Sequence, residues 1–182
     1  MATATQQLQG TYVLDPVHSS ASFAVKHMVV STFRGRFEDY AATLTAGEDG
    51  ALRLEGRVQA ASIVVKDENL AAHLQSPEFF DAERHPELRF ESSEIRPTGE
   101  GDEVVVDGEL TIKGITKPVE ARGTLEGPAV TFGDVNKVGL TLEAIIDRTE
   151  FGLNWNAPLP KGGFALANDV KLIVELELAE QA

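Results

Sequence analysis

Metal or acid–base chemistry would rest first on the histidines, and their spacing speaks against both. His18, His27, His73 and His85 are scattered, and no two stand three or four residues apart, the helical spacing that presents two imidazoles to one metal ion. The chain contains no cysteine, which removes thiol nucleophiles, thiolate metal sites and disulfides together. Serines are plentiful, yet there is no Gly-x-Ser-x-Gly elbow and no Ser, His and acidic set in a nucleophilic pattern. The carboxylates Glu103, Asp107, Glu109, Glu175 and Glu177 fall mostly on the polar side of alternating segments, where a solvated face explains them better than a catalytic pair. The residue types thus point to no catalytic step, no cofactor and no metal.

Polar groups that could serve binding are fewer. His27 shares parity with Phe23 and Val25, which suits a contact to a ligand's head; the competing reading, a capped histidine at a strand end, follows from the tendency of buried polar groups to be satisfied. His18, in Asp15-Pro16-Val17-His18-Ser19, fits an Asx-type turn that reverses the chain better than it fits catalysis. Arg148, in Asp147-Arg148-Thr149-Glu150-Phe151-Gly152, ends an apolar strand, where a guanidinium could meet a phosphate or carboxylate at a cavity mouth. A structural ion pair with Asp147 or Glu150 is the plainer account of the same arginine.

These side chains need elements to place them, and the dominant signal is period two. Val104, Val106, Leu110 and Ile112 share one parity, while Glu103, Asp107, Glu109 and Lys113 share the other, as in a strand with one buried face. The split recurs at Val170, Leu172, Val174, Leu176 and Leu178, at Val138 through Ile146, at Val119 through Leu125, at Leu52 through Val58, and at Ala21 through His27. Turn residues separate the runs at 47–50, 97–101, 127–128 and 133–134. Glycines inside strands, Gly35, Gly56, Gly108, Gly123 and Gly139, suit sharp bends and close packing.

About eight antiparallel strands follow, the number at which a closed barrel can just hold one ligand among its interior side chains. One helical interruption begins near Asp67 and runs through Leu70, His73 and Leu74 until Ser76-Pro77 stops it. A second helical turn is expected over Glu78 to Asp81. With the adjacent Phe79 and Phe80, this insert suits the cover of one end of a barrel. The chain's aromatics, among them Phe33, Phe164 and Trp155, either line a lipid cavity or fill a core; Phe132 is expected outside.

Length and charge narrow the class. The chain's 182 residues fit one domain spanning 1–182, with residues 1–10 expected to be loose. No run is long and apolar enough to cross a bilayer. A net charge of -13 would repel nucleic acid. The start MATATQQLQG lacks the basic and apolar regions of a secretory signal, so a cytoplasmic location is expected. Composition leaves a homodimer open.

With these motifs in place, the chain resembles the YceI-like family of polyisoprenoid-binding, lipocalin-like barrel proteins over nearly its whole length. The resemblance is carried by Asp15-Pro16-Val17-His18-Ser19 leading to Phe23 through His27, by Arg34-Gly35-Arg36-Phe37, by Ser62-Ile63 ahead of Asp67, and by His73 through Asp81. His85-Pro86 with Phe90-Glu91-Ser92, the run Gly108 to Val119, and Asp147 to Gly152 complete it. Each is short, but their order and spacing together are specific.

The resemblance implies an all-β, antiparallel, eight-stranded extended barrel with a short helical insert covering one end. It implies binding of a long-chain amphiphile, a polyisoprenoid or a fatty acid or amide, for carriage or storage, with no catalytic step. Many family members carry a signal sequence, which this chain does not show. The inward parity gives an expected pocket of Phe23, Val25, His27 and Phe37 from the first strands, and Phe90, Leu110 and Ile112 from the middle. Leu140, Leu142, Ile146, Arg148, Phe151 and Trp155 follow from the last third, with Leu74, Phe79 and Phe80 as a lid. An enzyme acting on a lipid-like substrate, or an interaction module with a fully packed interior, remains the alternative on residues alone.

Overall fold

In the computed structural model, which describes residues 8–182, the alternating segments become eleven antiparallel strands of one sheet. They are β1 (Gly10–Leu14), β2 (Ser20–His27), β3 (Ser31–Phe37), β4 (Tyr40–Ala46), β5 (Leu52–Gln59), β6 (Ile63–Val64), β7 (Glu87–Pro97), β8 (Glu103–Ile112), β9 (Ile115–Val130), β10 (Asn136–Asp147) and β11 (Leu166–Glu180), with one helix, α1 (Glu68–Gln75), between β6 and β7. Eight of them, in the order β1-β4-β5-β7-β8-β9-β10-β11, form a closed barrel, because β1 pairs with β4 on one side and with the end of β11 on the other.

The barrel is closed differently at its two ends. β11 gives its last residues to β1 (Leu14 opposite Leu178) and its earlier ones to β2 (Phe23 opposite Leu172). Between β1 and β2 the chain kinks at Asp15, whose carboxylate accepts from the Val17 N–H at 3.0 Å, the expected Asx turn. Beyond the kink, β2 and β3 continue the wall as a hairpin whose outer edge meets only the two residues of β6, at Arg36–Val64 and Phe37–Ile63. α1 and the segment after it complete this end.

Close backbone approach explains two of the strand glycines. A Cβ at Gly123 would stand 1.7 Å from the Thr141 carbonyl oxygen of β10, and one at Gly35 would meet the Phe23 ring at 2.5 Å. Gly35 therefore lets the Phe23 ring lie across the neighbouring strand.

Two local expectations fail, and a third falls largely outside the described residues. Gly127-Pro128 is no hairpin turn but lies inside β9, beside the register shift at Lys137/Gly139 of β10; the reversal comes at 131–135. Glu78 to Asp81 form hydrogen-bonded turns instead of a helix, since the Phe79 and Asp81 N–H groups both donate back to the Ser76 carbonyl (2.9 Å each). The expectation of a loose 1–10 falls on residues 1–7, which lie outside the described residues, and on 8–10, where Leu8 is buried in the core and Gly10 opens β1. Phe132 is fully exposed, as expected.

Candidate functional site

Two apolar clusters divide the barrel along its axis. At the β1 end, Tyr12, Leu44, Leu125, Leu140 and Leu178 pack together. At the other end the cluster is built on Phe23, Phe37, Leu74, Phe79, Phe80 and Ile146, and there the interior opens. An outer cavity of about 460 Å³ is walled by β2, β3, α1, the 79–80 segment and the 153–166 segment. An inner cavity of about 170 Å³ lies deeper, between β4, β5, β7 and the middles of β8 to β11. Phe37, Leu88 and Leu172 border both, so the two are successive chambers along one line. The wall is nearly all carbon, as long-chain binding requires.

The aromatic lining is an interlocked set. Phe23 meets Phe33 and Phe37 at 6.0 Å between centroids, and Phe37 meets Phe80 edge-on at 5.8 Å. On the opposite side His73 stands edge-on to Phe79 (4.9 Å) and to Trp155 (4.8 Å), spacings that add to simple burial. The adjacent phenylalanines thus face two ways, Phe80 toward β3 and Phe79 toward Trp155. Their support starts at α1, where Asp67 caps the Leu70 N–H at 2.9 Å and the Phe80 N–H donates to the Leu74 carbonyl at 3.0 Å. Lys113 then ties this segment to the far wall, its ammonium donating to the Pro77 carbonyl (2.6 Å) and the Gly152 carbonyl (3.2 Å).

Arg148 is the one lysine or arginine among the described residues that border the outer chamber. It is 4% exposed, and the ion pair with Asp147 or Glu150 does not form: among the described residues no carboxylate comes within 4.0 Å of it. Its guanidinium donates instead to three backbone carbonyls, Ala167 and Trp155 at 2.9 Å each and Leu153. Asp147 is engaged elsewhere, accepting from the Thr149 N–H at 2.9 Å and hydroxyl at 2.6 Å, hydrogen bonds that lower its carboxyl pKa. Burial lowers the Arg148 pKa, with Asp147 opposing. The Arg148 Nη2 is buried with no hydrogen-bond partner. An orphaned donor of a charged group among apolar side chains carries an uncompensated desolvation cost.

The structure gathers most of the expected pocket. Phe23, Val25, His27, Phe37, Leu74, Phe79, Phe80, Ile112, Ile146, Arg148 and Trp155 border the outer chamber; Phe90, Leu110 and Leu142 border the inner one. Leu140 and Phe151 do not. Leu140 belongs to the packed cluster of the other end, because inward parity continues below the cavity floor. Phe151 is fully buried behind the wall among core residues. Residues not singled out include Leu88, Val170 and Leu172, whose parity marked them inward, and Leu153, Ala157 and Ala165, whose segment has no periodicity to read. Sequence spacing also gave no sign that Asp15, His18 and Glu177 converge. Lys137 lies among them, with its ammonium 2.6 Å from Glu177 and 3.8 Å from Asp15. Among the described residues no helix is long and apolar enough to cross a membrane.

The model of the YceI-like domain matches residues 12–178. The chain belongs to the YceI-like family. A UPF0312 protein of Staphylococcus aureus (strain N315) is 31% identical over 175 residues, which are 92% of this chain and 96% of that protein. Among solved structures, BcnA of Burkholderia cenocepacia is similar with a TM-score of 0.75 and 24% identity, covering 90% of this chain and 98% of that one. The YCEI protein of Campylobacter jejuni gives 0.71 and 24%, covering 86% and 90%. A polyisoprenoid binding domain from Saccharophagus degradans, implicated in plant cell wall breakdown, gives 0.68 at 11% identity, covering 93% and 98%. These structural likenesses are likenesses of fold, and the barrel is the form they share with this YceI-like chain.

Proposed function

We propose that the chain binds a long-chain amphiphilic lipid, of polyisoprenoid or fatty acid or amide type, inside its barrel, for carriage or storage and without a catalytic step. The observation that carries this reading is the pair of successive apolar chambers, which follow β11 from Leu166 to Leu176, about 33 Å of strand. Burying an alkyl chain gains roughly 0.8 kcal/mol per methylene, so ten methylenes supply about 8 kcal/mol before the costs of association. No placed polar group is needed along the tail. The head would lie near Arg148, whose free Nη2 favours an acceptor, a carboxylate, phosphate or amide oxygen. The polyisoprenoid binding named for the Saccharophagus degradans domain supports the ligand class.

The test is native mass spectrometry of freshly purified protein followed by organic extraction. One long-chain lipid per chain is expected. Phe79→Ala/Phe80→Ala should release it roughly tenfold faster at an unchanged fold by circular dichroism, since those rings form the lid. A protein that carries nothing and takes up neither polyprenyl nor fatty-acyl probes would overturn the reading, and material recovered chemically altered would move it to an enzyme.

A further inference from the structure

The mouth of the outer chamber is bordered by the β2–β3 turn, and that turn is built against local preference. Met28 and Val29 both have left-handed backbone, with φ of 51° and 66°, where Asn or Gly is the ordinary choice and a β-branched residue is a marked exception. The side chains gain no burial in return: Val29 is 70% and Val30 84% exposed. Phe164, 60% exposed, is their neighbour, because the Met28 N–H donates to the Ala165 carbonyl at 2.7 Å and Leu166 stands opposite His27. An exposed apolar patch of Met28, Val29, Val30 and Phe164 thus stands beside an apolar cavity that Met28 borders.

Charge marks the same sector. In a chain of net charge -13, residues 20–37 hold Lys26, Arg34 and Arg36 and no carboxylate, and residues 151–168 hold Lys161 and no carboxylate. Lys26, Arg34 and Lys161 have no ion-pair partner within 4.0 Å among the described residues, while Arg36 pairs with Glu38. At the mouth end Asp147, Glu150 and Asp169 lie on the β10–β11 side; at the other end the turns hold Glu48, Asp49, Glu100 and Asp102, and Glu180 ends β11. That end is about 45 Å of strand away, several screening lengths at physiological salt. Asp67, Glu68 and Glu83 on the insert confine the cationic sector to the hairpin side.

We infer that the β2–β3 tip and Phe164 dock the cavity mouth onto the surface of an anionic phospholipid bilayer. The apolar patch enters the boundary between headgroups and acyl chains, the cations meet lipid phosphates, and the acidic end points away. This goes beyond the nature of the bound lipid and places its exchange at a membrane surface.

Co-sedimentation of the full chain with vesicles of equal parts phosphatidylglycerol and phosphatidylcholine tests it. Binding is expected, weaker on phosphatidylcholine alone and weaker with added salt. Val29→Asn/Val30→Ser keeps the turn, since Asn accepts left-handed φ, and should abolish binding. Lys26→Gln/Arg34→Gln should reduce it about twenty-five-fold, about fivefold for each cation. Phe132→Ser, an exposed aromatic at the acidic end, should change nothing. Melting curves confirm that each variant folds. Binding that survives both hairpin variants, that is lost in Phe132→Ser, or that never occurs while light scattering shows a dimer closed over the mouth would each overturn the docking surface. Lipid content per chain, measured in parallel by native mass spectrometry, separates that failure from failure of the cavity reading.

Discussion

The two ends of the barrel share their strands and differ in what those strands point inward. β10 and β11 pass through both: at the β1 end they contribute Val138, Leu140 and Leu178 to a packed cluster, and past the middle Ala144, Leu172 and Val174 to a cavity wall. The backbone ladder is continuous across the change, with Leu140 opposite Leu176 and Ala144 opposite Leu172. What changes is side-chain volume and closure. The inner chamber is bordered by Ala21, Ala41, Ala42, Gly56, Ala121 and Ala144 among larger residues such as Leu54, Leu142 and Leu176 that it shares with the packed cluster, whereas Tyr12, Leu44, Leu125, Leu140 and Leu178 fill the packed end, which β1 seals. An eight-stranded barrel is wide enough to be filled or to hold a ligand, and here residue size chooses a different outcome at each end.

The largest effect should come from emptying the filled end. Leu178 is 0% exposed, and Leu178→Ala should lower unfolding stability by about 3–5 kcal/mol, the cost of lost burial plus a new void. Leu172→Ala, on the cavity wall, should lower it by less than half as much, because its methyls already border open space. Urea denaturation measures both. Equal losses would break the comparison, since they would mean that the cavity end is packed as tightly as the other.

The sequence carried this architecture further than it carried the division. Period-two alternation located β2, β5, β8, β9, β10 and β11 but not β1 or β4, and Asp67 with Ser76-Pro77 bounded α1 to within a residue. Phe79 and Phe80 stood out because adjacent phenylalanines directly after a helix have no place in an alternating pattern, and both border the outer chamber. Parity, however, says which way a side chain points and not how far along the axis it lies. Leu140 and Leu142 read alike and share the packed cluster, yet only Leu142 also borders the inner chamber. The inward alanines were visible as parity but not as space. Of the two readings open for Arg148, the ion pair fails, because the turn gives Asp147 to Thr149 and turns the guanidinium onto carbonyls of 153–167, contacts no local spacing encodes. The 153–166 segment has no period, and only its aromatics, Trp155 and Phe164, could be singled out.

If small residues make the inner chamber, enlarging them should shorten what fits. Ala121→Leu/Ala144→Leu places two larger side chains in the inner chamber and leaves the outer chamber and Arg148 untouched. Competition among fatty-acyl probes of increasing length should show the wild-type affinity rising further along the series than the variant's. Each methylene denied burial costs about 0.8 kcal/mol, roughly fourfold in Kd. Short probes should bind both proteins alike. An unchanged length profile would place the tail elsewhere and remove the inner chamber from the binding reading.

The smallest expected effect concerns the kink that separates the ends. At this turn the His18 Nδ1 lies 2.9 Å from the Asp15 carboxylate. The hydrogen bond to Asp15, helped by the charge of Glu177, raises the His18 pKa above its ordinary 6.5, and the same hydrogen bond holds Asp15 below its ordinary 3.8. The raised histidine contributes stability that is full below 6.5 and fades as pH rises through its folded value. The depressed carboxyl contributes stability that is present above 3.8 and fades as pH falls through its own. The pair therefore supports the turn most between those two limits. His18→Gln should shift the urea midpoint below pH 6.5 and not well above it, and only slightly, because the His18 side chain is 62% exposed and its charge is screened. Lipid content should stay the same in both ranges, since the pair borders neither chamber. A midpoint difference independent of pH would mean that the turn is held by its backbone bonds alone and that the imidazole adds no charge to it.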